Sequence, residues 1–198
     1  MNDKQKPVLF KDVSISKDSF WGARQELNHK TTIYSVYNRF VDTGRFEAFK
    51  FNWKQGEPNQ PHFFWDSDVA KWLEAAAYII QSEPDETLEA IVDETVDLIA
   101  ENQGDDGYFN LYFTMVEPEK RWQNRTDHEL YCAGHLIEAS VAYYESTGKR
   151  KFLDLMCKYA EYIEKVFKVD KSAAFITPGH PEIELALVKL YRTTGKRK

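Results

Sequence analysis

The chain has 198 residues, of which 42% are hydrophobic and 29% charged, enough for one substantial domain with its own core. Its 26 basic and 32 acidic residues leave a net charge of −6 with no long basic block, which argues against nucleic acid as a partner. No run of about 18 apolar residues exists to span a membrane, the N-terminal stretch has no apolar signal region, and two cysteines are too few for a disulfide framework; the expectation is a protein of the reducing cytoplasm.

Residues 1–12 read as a tail, followed by a short strand-like start at Val13–Ile15. Helical periodicity then dominates, predicting helices at roughly 21–41, 66–82, 85–102, 127–147, 150–167 and 180–194. The breaks carry suitable punctuation: Gly44, Pro58 and Pro61, Pro84, Gly104 and Gly107, Pro118, Gly148, Pro178 and Gly179. Asp66 and Asp127 are placed to cap helices through their carboxylates. An internal repeat supports this order. Residues 73–99 align without gaps on 137–163, and "LYRTTGKRK" (190–198) echoes "YYESTGKRK" (143–151). Each "TGKRK" ends one helix and launches the next, so the unit is a helical hairpin that must stack on its neighbours. The last unit stops after its first helix, and the sequence reads as truncated.

Taken in chain order, four stretches carry candidate chemistry. "HFFWDSD" (62–68) places Asp66 and Asp68 at a helix mouth beside His62 and Trp65; routine complements to the helix dipole and a polar site are both open readings. "NQGDDGYFNLYFT" (102–114) is rich in aromatics for a connector. Either Tyr108, Phe109 and Tyr112 project into a cleft or the loop is simply packed, and Arg121 and Trp122 then offer a stacking pair. "DHELYCAGHLIEA" (127–139) spaces His128, Cys132 and His135 along one helical face. It departs from the HExxH zinc motif because Cys132 stands at the second histidine's place. The triple suits three zinc ligands or ordinary packing, since a buried thiol behaves as a small hydrophobe. Finally, "TPGHPEIELALVKLY" (177–191) sets His180 at a helix mouth, where it and the "GDDGYF" loop are placed to converge.

Five stretches in order, "FWGARQEL", "FWDSDVAKWLEAAAY", "DDGYFNLYF", "HELYCAGHLIEA" and "GHPEIELALVKLY", resemble glycoside hydrolase family 127, the β-L-arabinofuranosidases, from about Val13 to Lys198. The resemblance implies an all-α fold in which residues 13–198 are helical hairpins forming about half of an (α/α)6 barrel. It implies a retaining glycosidase that releases β-L-arabinofuranose from plant-type glycans, using a cysteine nucleophile beside a zinc held by a glutamate and several cysteines. No zinc ligand or nucleophile of that set has a counterpart here, so the chain alone is expected to be inactive and to bind no metal. What carries over is the sugar-binding wall. His128 and His180 match positions that hydrogen-bond the sugar, and Asp66, Asp68 and Tyr108 sit in matching motifs as candidates. Cys132 is then packing, and His135 supports its helix from inside. The alternative is a non-catalytic helical-repeat module that binds a carbohydrate or a protein. An open half-ring also exposes an apolar face, so self-association is expected.

Overall fold

The structure is a computed structural model that describes residues 8–196; residues 1–7 of the proposed tail and the closing pair 197–198 lie outside the described residues. Helix α1 (Phe20–Leu27) runs through a π-type turn at Asn28–Thr32 into α2 (Ile33–Asp42), so the helix predicted at 21–41 is one rod with a local bulge. Its start is set by Ser19, whose hydroxyl accepts the Gly22 N–H at 3.0 Å. Next come α3 (Trp65–Ser82), α4 (Glu86–Asn102), the short α5 (Tyr112–Met115), α6 (Glu129–Thr147), α7 (Lys151–Glu164, continued by a π-type turn at Lys165–Val169) and α8 (Glu182–Thr194). Asp85 caps α4 through the N–H groups of Thr87 and Leu88, both at 3.0 Å. Gly148 and Gly195, at φ 75° and 69°, close α6 and α8 in the left-handed conformation. The repeated "TGK" is thus one stop signal used twice.

Val13–Ile15 is not a strand. It is extended chain, and among the described residues no strand exists to pair with it. The two predicted capping aspartates are also corrected. Asp66 lies inside α3, which begins a residue earlier, and Asp127 ends a 3-10 turn (Arg125–Asp127), leaving His128 as the residue before α6.

The helices form two layers. Inner helices α3, α6 and α8 lie side by side. The parallel course of α6 and α8 follows from pairings that run in the same order along both: His128 with His180, Glu138 with Lys189, and Glu145 with Thr193. Outer helices cover them. Trp72 Nε1 donates to Ile33 O at 2.9 Å, tying α2 to α3, and Asp85 takes His29 and Tyr34 at 2.9 Å each, tying that rod to the foot of α4. Small residues let the inner helices approach closely. Ala70, Ala76 and Ala77 of α3 and Ala133 and Ala139 of α6 are wholly buried, among Val69, Leu73, Leu136 and Ile137. Because α6 is buried on almost every side, it is the middle stave of the half-ring. No helix among the described residues is long and apolar enough to cross a membrane.

Candidate functional site at the mouth of the half-ring

Parallel inner helices bring their N-terminal ends to one rim, and the predicted histidines meet there. His128 and His180 stand with Nε2 atoms 3.2 Å apart. His128 sits at φ 66°, a left-handed conformation that costs a non-glycine residue energy. His180 is delivered by Pro178–Gly179. A Cβ at Gly179 would lie 2.5 Å from Arg125 O, so glycine is required where this segment crosses the one before α6.

Aromatic rings wall the pair. Phe63 is parallel to the His128 ring at 5.9 Å and Phe64 lies 4.5 Å from it, while Tyr131 is 5.8 Å from His128 and 5.0 Å from His180. Burial and the neighbouring His180 hold the His128 pKa below its ordinary 6.5. Its neutral imidazole can donate or accept near pH 7, and the buried Nδ1 has no hydrogen-bond partner among the described residues.

The other candidates are distributed around and behind this wall. Asp68 accepts from Arg45 Nε at 2.9 Å and lines an open cleft of about 480 Å³ with Arg45, His62, Phe64, Trp65 and Lys71. Asp66 is fully buried; its Oδ1 accepts the Leu111 N–H at 3.0 Å, Oδ2 has no partner, and burial pushes its carboxyl up to about 7. Tyr108 is buried as well, donating to Glu129 Oε1 at 2.7 Å. The other Glu129 oxygen takes the Trp122 N–H at 2.6 Å, and burial raises this carboxyl to about 7. Asp66, Tyr108 and Glu129 therefore brace the wall from within the core.

For residues 102–122 the structure favours the packed-loop reading. Phe109 is buried, Gly107 presses on Lys158 O of α7, and Tyr112 is half-buried. Arg121 stacks on Tyr108 at 4.1 Å, not on Trp122, whose ring packs against Phe167. The "GDDGYF" loop does not reach His180; the Arg125–His128 segment does.

Nor does the spaced triple of residues 128, 132 and 135 converge. Cys132 turns inward and donates to Phe63 O at 3.1 Å, and burial holds its thiol well above the usual range. His135 faces α8 instead, 3.3 Å from Glu182. A thiolate–zinc centre therefore does not fit the cysteines present. Cys132 is a buried neutral thiol, Cys157 lies on a different, outer helix, and no described carboxylate forms a metal-sized group with either. Sequence reasoning missed Glu129, Arg45 and the Phe63–Phe64 wall; only the place of Glu129, directly after His128, was a local signal.

A row of parallel inner helices, backed by antiparallel outer ones and presenting histidines and rings at one rim, defines part of an α/α-barrel protein with a polar, aromatic mouth. The profile of the β-L-arabinofuranosidase GH127 catalytic domain matches residues 12–198, and the chain belongs to this family. It is 42% identical over 142 residues to a non-reducing end β-L-arabinofuranosidase of Bifidobacterium longum subsp. longum, a match covering 68% of this chain and 21% of that protein. It superposes on a GH127 β-L-arabinofuranosidase of Geobacillus stearothermophilus T6 with TM-score 0.84 and 45% identity, over 91% of this chain and 30% of that one. A second GH127 β-arabinofuranosidase gives TM-score 0.84 and 35% identity, over 96% and 32%. The chain thus spans under a third of the length of these relatives.

Proposed function

We propose that this chain supplies one wall of the sugar-binding site of a retaining β-L-arabinofuranosidase, acting on terminal β-L-arabinofuranosyl residues of plant-type glycans. The observation that carries the reading is the His128–His180 pair, 3.2 Å apart at the rim and framed by Phe63, Phe64 and Tyr131. Neutral imidazoles offer both donors and acceptors to adjacent ring hydroxyls, and aromatic faces take the apolar side of a sugar. Asp68, within the neighbouring cleft, is positioned to accept a further hydroxyl. Bond cleavage is assigned to no residue here. The buried Cys132 is neutral, and a nucleophile with its zinc and a carboxyl acid/base would come from elsewhere in a complete enzyme.

A half-site should bind weakly. Methyl β-L-arabinofuranoside is expected to perturb the His128 and His180 ring signals with a Kd of roughly millimolar order, and His128→Ala to weaken binding about 10-fold or more. Equal perturbation by a methyl L-arabinopyranoside, or none, would count against the assignment; turnover of an aryl β-L-arabinofuranoside by this chain alone would refute the placement of the nucleophile.

Along α8, Leu185, Val188 and Tyr191 are 51%, 45% and 44% exposed. This stripe is expected to drive self-association of the isolated chain. Sedimentation as a clean monomer at ~100 µM would rule out self-association with a Kd tighter than about 100 µM.

A further inference from the structure

Away from the rim, α6 and α8 enclose a second group of side chains. His135 of α6 points toward α8, Glu138 follows one turn later, and Glu182 is the first residue of α8. Their approach depends on Gly134, where a Cβ would lie 2.7 Å from Glu182 Cγ. His135 Nδ1 is 3.3 Å from Glu182 Oε1 and 3.9 Å from Glu138 Oε2, and one ligand atom from each residue falls within 4.8 Å of the others. Among the described residues, both ring nitrogens of His135 and Oε1 of Glu182 are buried without a hydrogen-bond partner, while the Glu138 and Glu182 side chains hydrogen-bond to each other. The side chains are 13%, 7% and 12% exposed. Buried polar atoms facing one another in this way are satisfied by a shared proton, a water or an ion.

We propose that His135, Glu138 and Glu182 bind a divalent cation of the zinc class, which fastens α8 to α6. Ligands at ~2.0–2.1 Å from a tetrahedral ion stand ~3.3 Å apart, the separation already present between His135 Nδ1 and Glu182 Oε1. One imidazole and two carboxylates form a three-ligand set that leaves a fourth position for water. Glu74, Glu138 and Glu182 face Lys189 across this seam, and the Lys71 and Lys189 charges both act on His135. Lys189 holds Oε1 of Glu138, leaving Oε2 to turn toward the histidine. Glu182 follows His180 by two residues, so an ion here would also fix the height of the rim histidine. None of this requires sugar binding.

The test uses the whole 198-residue chain, stripped with a chelator and titrated with Co²⁺. One equivalent is expected to bind, giving visible d–d bands without a sulfur charge-transfer band, and Zn²⁺ to displace it. His135→Ala and Glu182→Gln, checked for helicity by circular dichroism, should each weaken uptake about 10-fold or more, while His128→Ala leaves it unchanged. X-ray absorption of the zinc form of the unaltered chain needs no variant and should show one imidazole with oxygen donors at ~2.0 Å. Two imidazoles or a sulfur donor, loss of binding in His128→Ala, retention in both ligand variants, or no saturable uptake below about 1 mM would each overturn the proposal.

Discussion

Asp66→Asn is expected to gain stability relative to the parent chain, by about 2–4 kcal/mol, as the pH rises from about 4 to about 7. Asp66 has no exposed surface, and burial lifts its carboxyl from an ordinary 3.8 to about 7. Below pH 4 it is protonated in both the folded and the unfolded chain. Between those values the folded chain holds a proton that the unfolded chain has lost, so stability falls as pH rises, and the loss is complete once the folded group ionises near 7. The full gap is equivalent to about 4 kcal/mol, which relaxation and water entry reduce. Asparagine keeps the oxygen that accepts the Leu111 N–H, but its amide meets no acceptor where Oδ2 stood. The variant should therefore start below the parent at acid pH and overtake it near neutrality. The difference between the two profiles reports Asp66 together with its charge coupling to Glu129. Glu129, raised to about 7, acts in the same sense in both chains, while His135, pushed down to about 4 by burial, acts in the opposite sense in both. Thermal melts at pH 4, 5.5, 7 and 8 give the comparison; a variant-minus-parent difference that stays flat would show that Asp66 is not a buried proton store.

Much of this fold was legible because its signals are local. Helical periodicity, the Asp85 cap and the two "TGK" stops each act within a few residues, and the repeat follows from them. The misread positions are those decided at long range. "FFWDSD" offers Asp66 as a cap by every local rule, yet its oxygen is claimed by Leu111, 45 residues away, inside a fully buried setting. Asp127 loses its capping place because His128 adopts φ 66° and Asn124 closes the preceding turn, accepting from Thr126 N at 3.2 Å. That same twist dissolves the spaced triple of His128, Cys132 and His135, since only two of the three residues are helical. Arg121 prefers Tyr108, thirteen positions earlier, to the adjacent Trp122. The histidine pair itself was legible through whole motifs and not through spacing, for no periodicity relates residues 128 and 180 across two intervening turns.

Gly134→Val should release α8 from α6 and separate the histidine pair. At Gly134 even an alanine Cβ would lie 2.7 Å from Glu182 Cγ and 3.1 Å from both Glu182 C and Ile183 N. The first neighbour is a side-chain atom that can swing; the other two are α8 backbone and must move with the helix. Alanine also raises helix propensity by about 1 kcal/mol, so Gly134→Ala should cost only a modest net amount, about 1 kcal/mol. Valine adds two methyl groups against the same backbone and loses that propensity gain, which brings the expected cost to about 2–4 kcal/mol. The loss should be local. Ile183, Ala186 and Leu190 form the buried face of α8, and lifting it exposes a side that α7 and α4 do not share. Hydrogen exchange should accordingly show faster exchange of the α8 amides in Gly134→Val, with α3 and α4 still protected. By NMR, the cross-peaks between the His128 and His180 rings should disappear. Unchanged α8 protection in the valine variant would mean that the helix pair tolerates a wider spacing. The rim histidines would then be held by their own loops, with Gly179 against Arg125 as the remaining constraint.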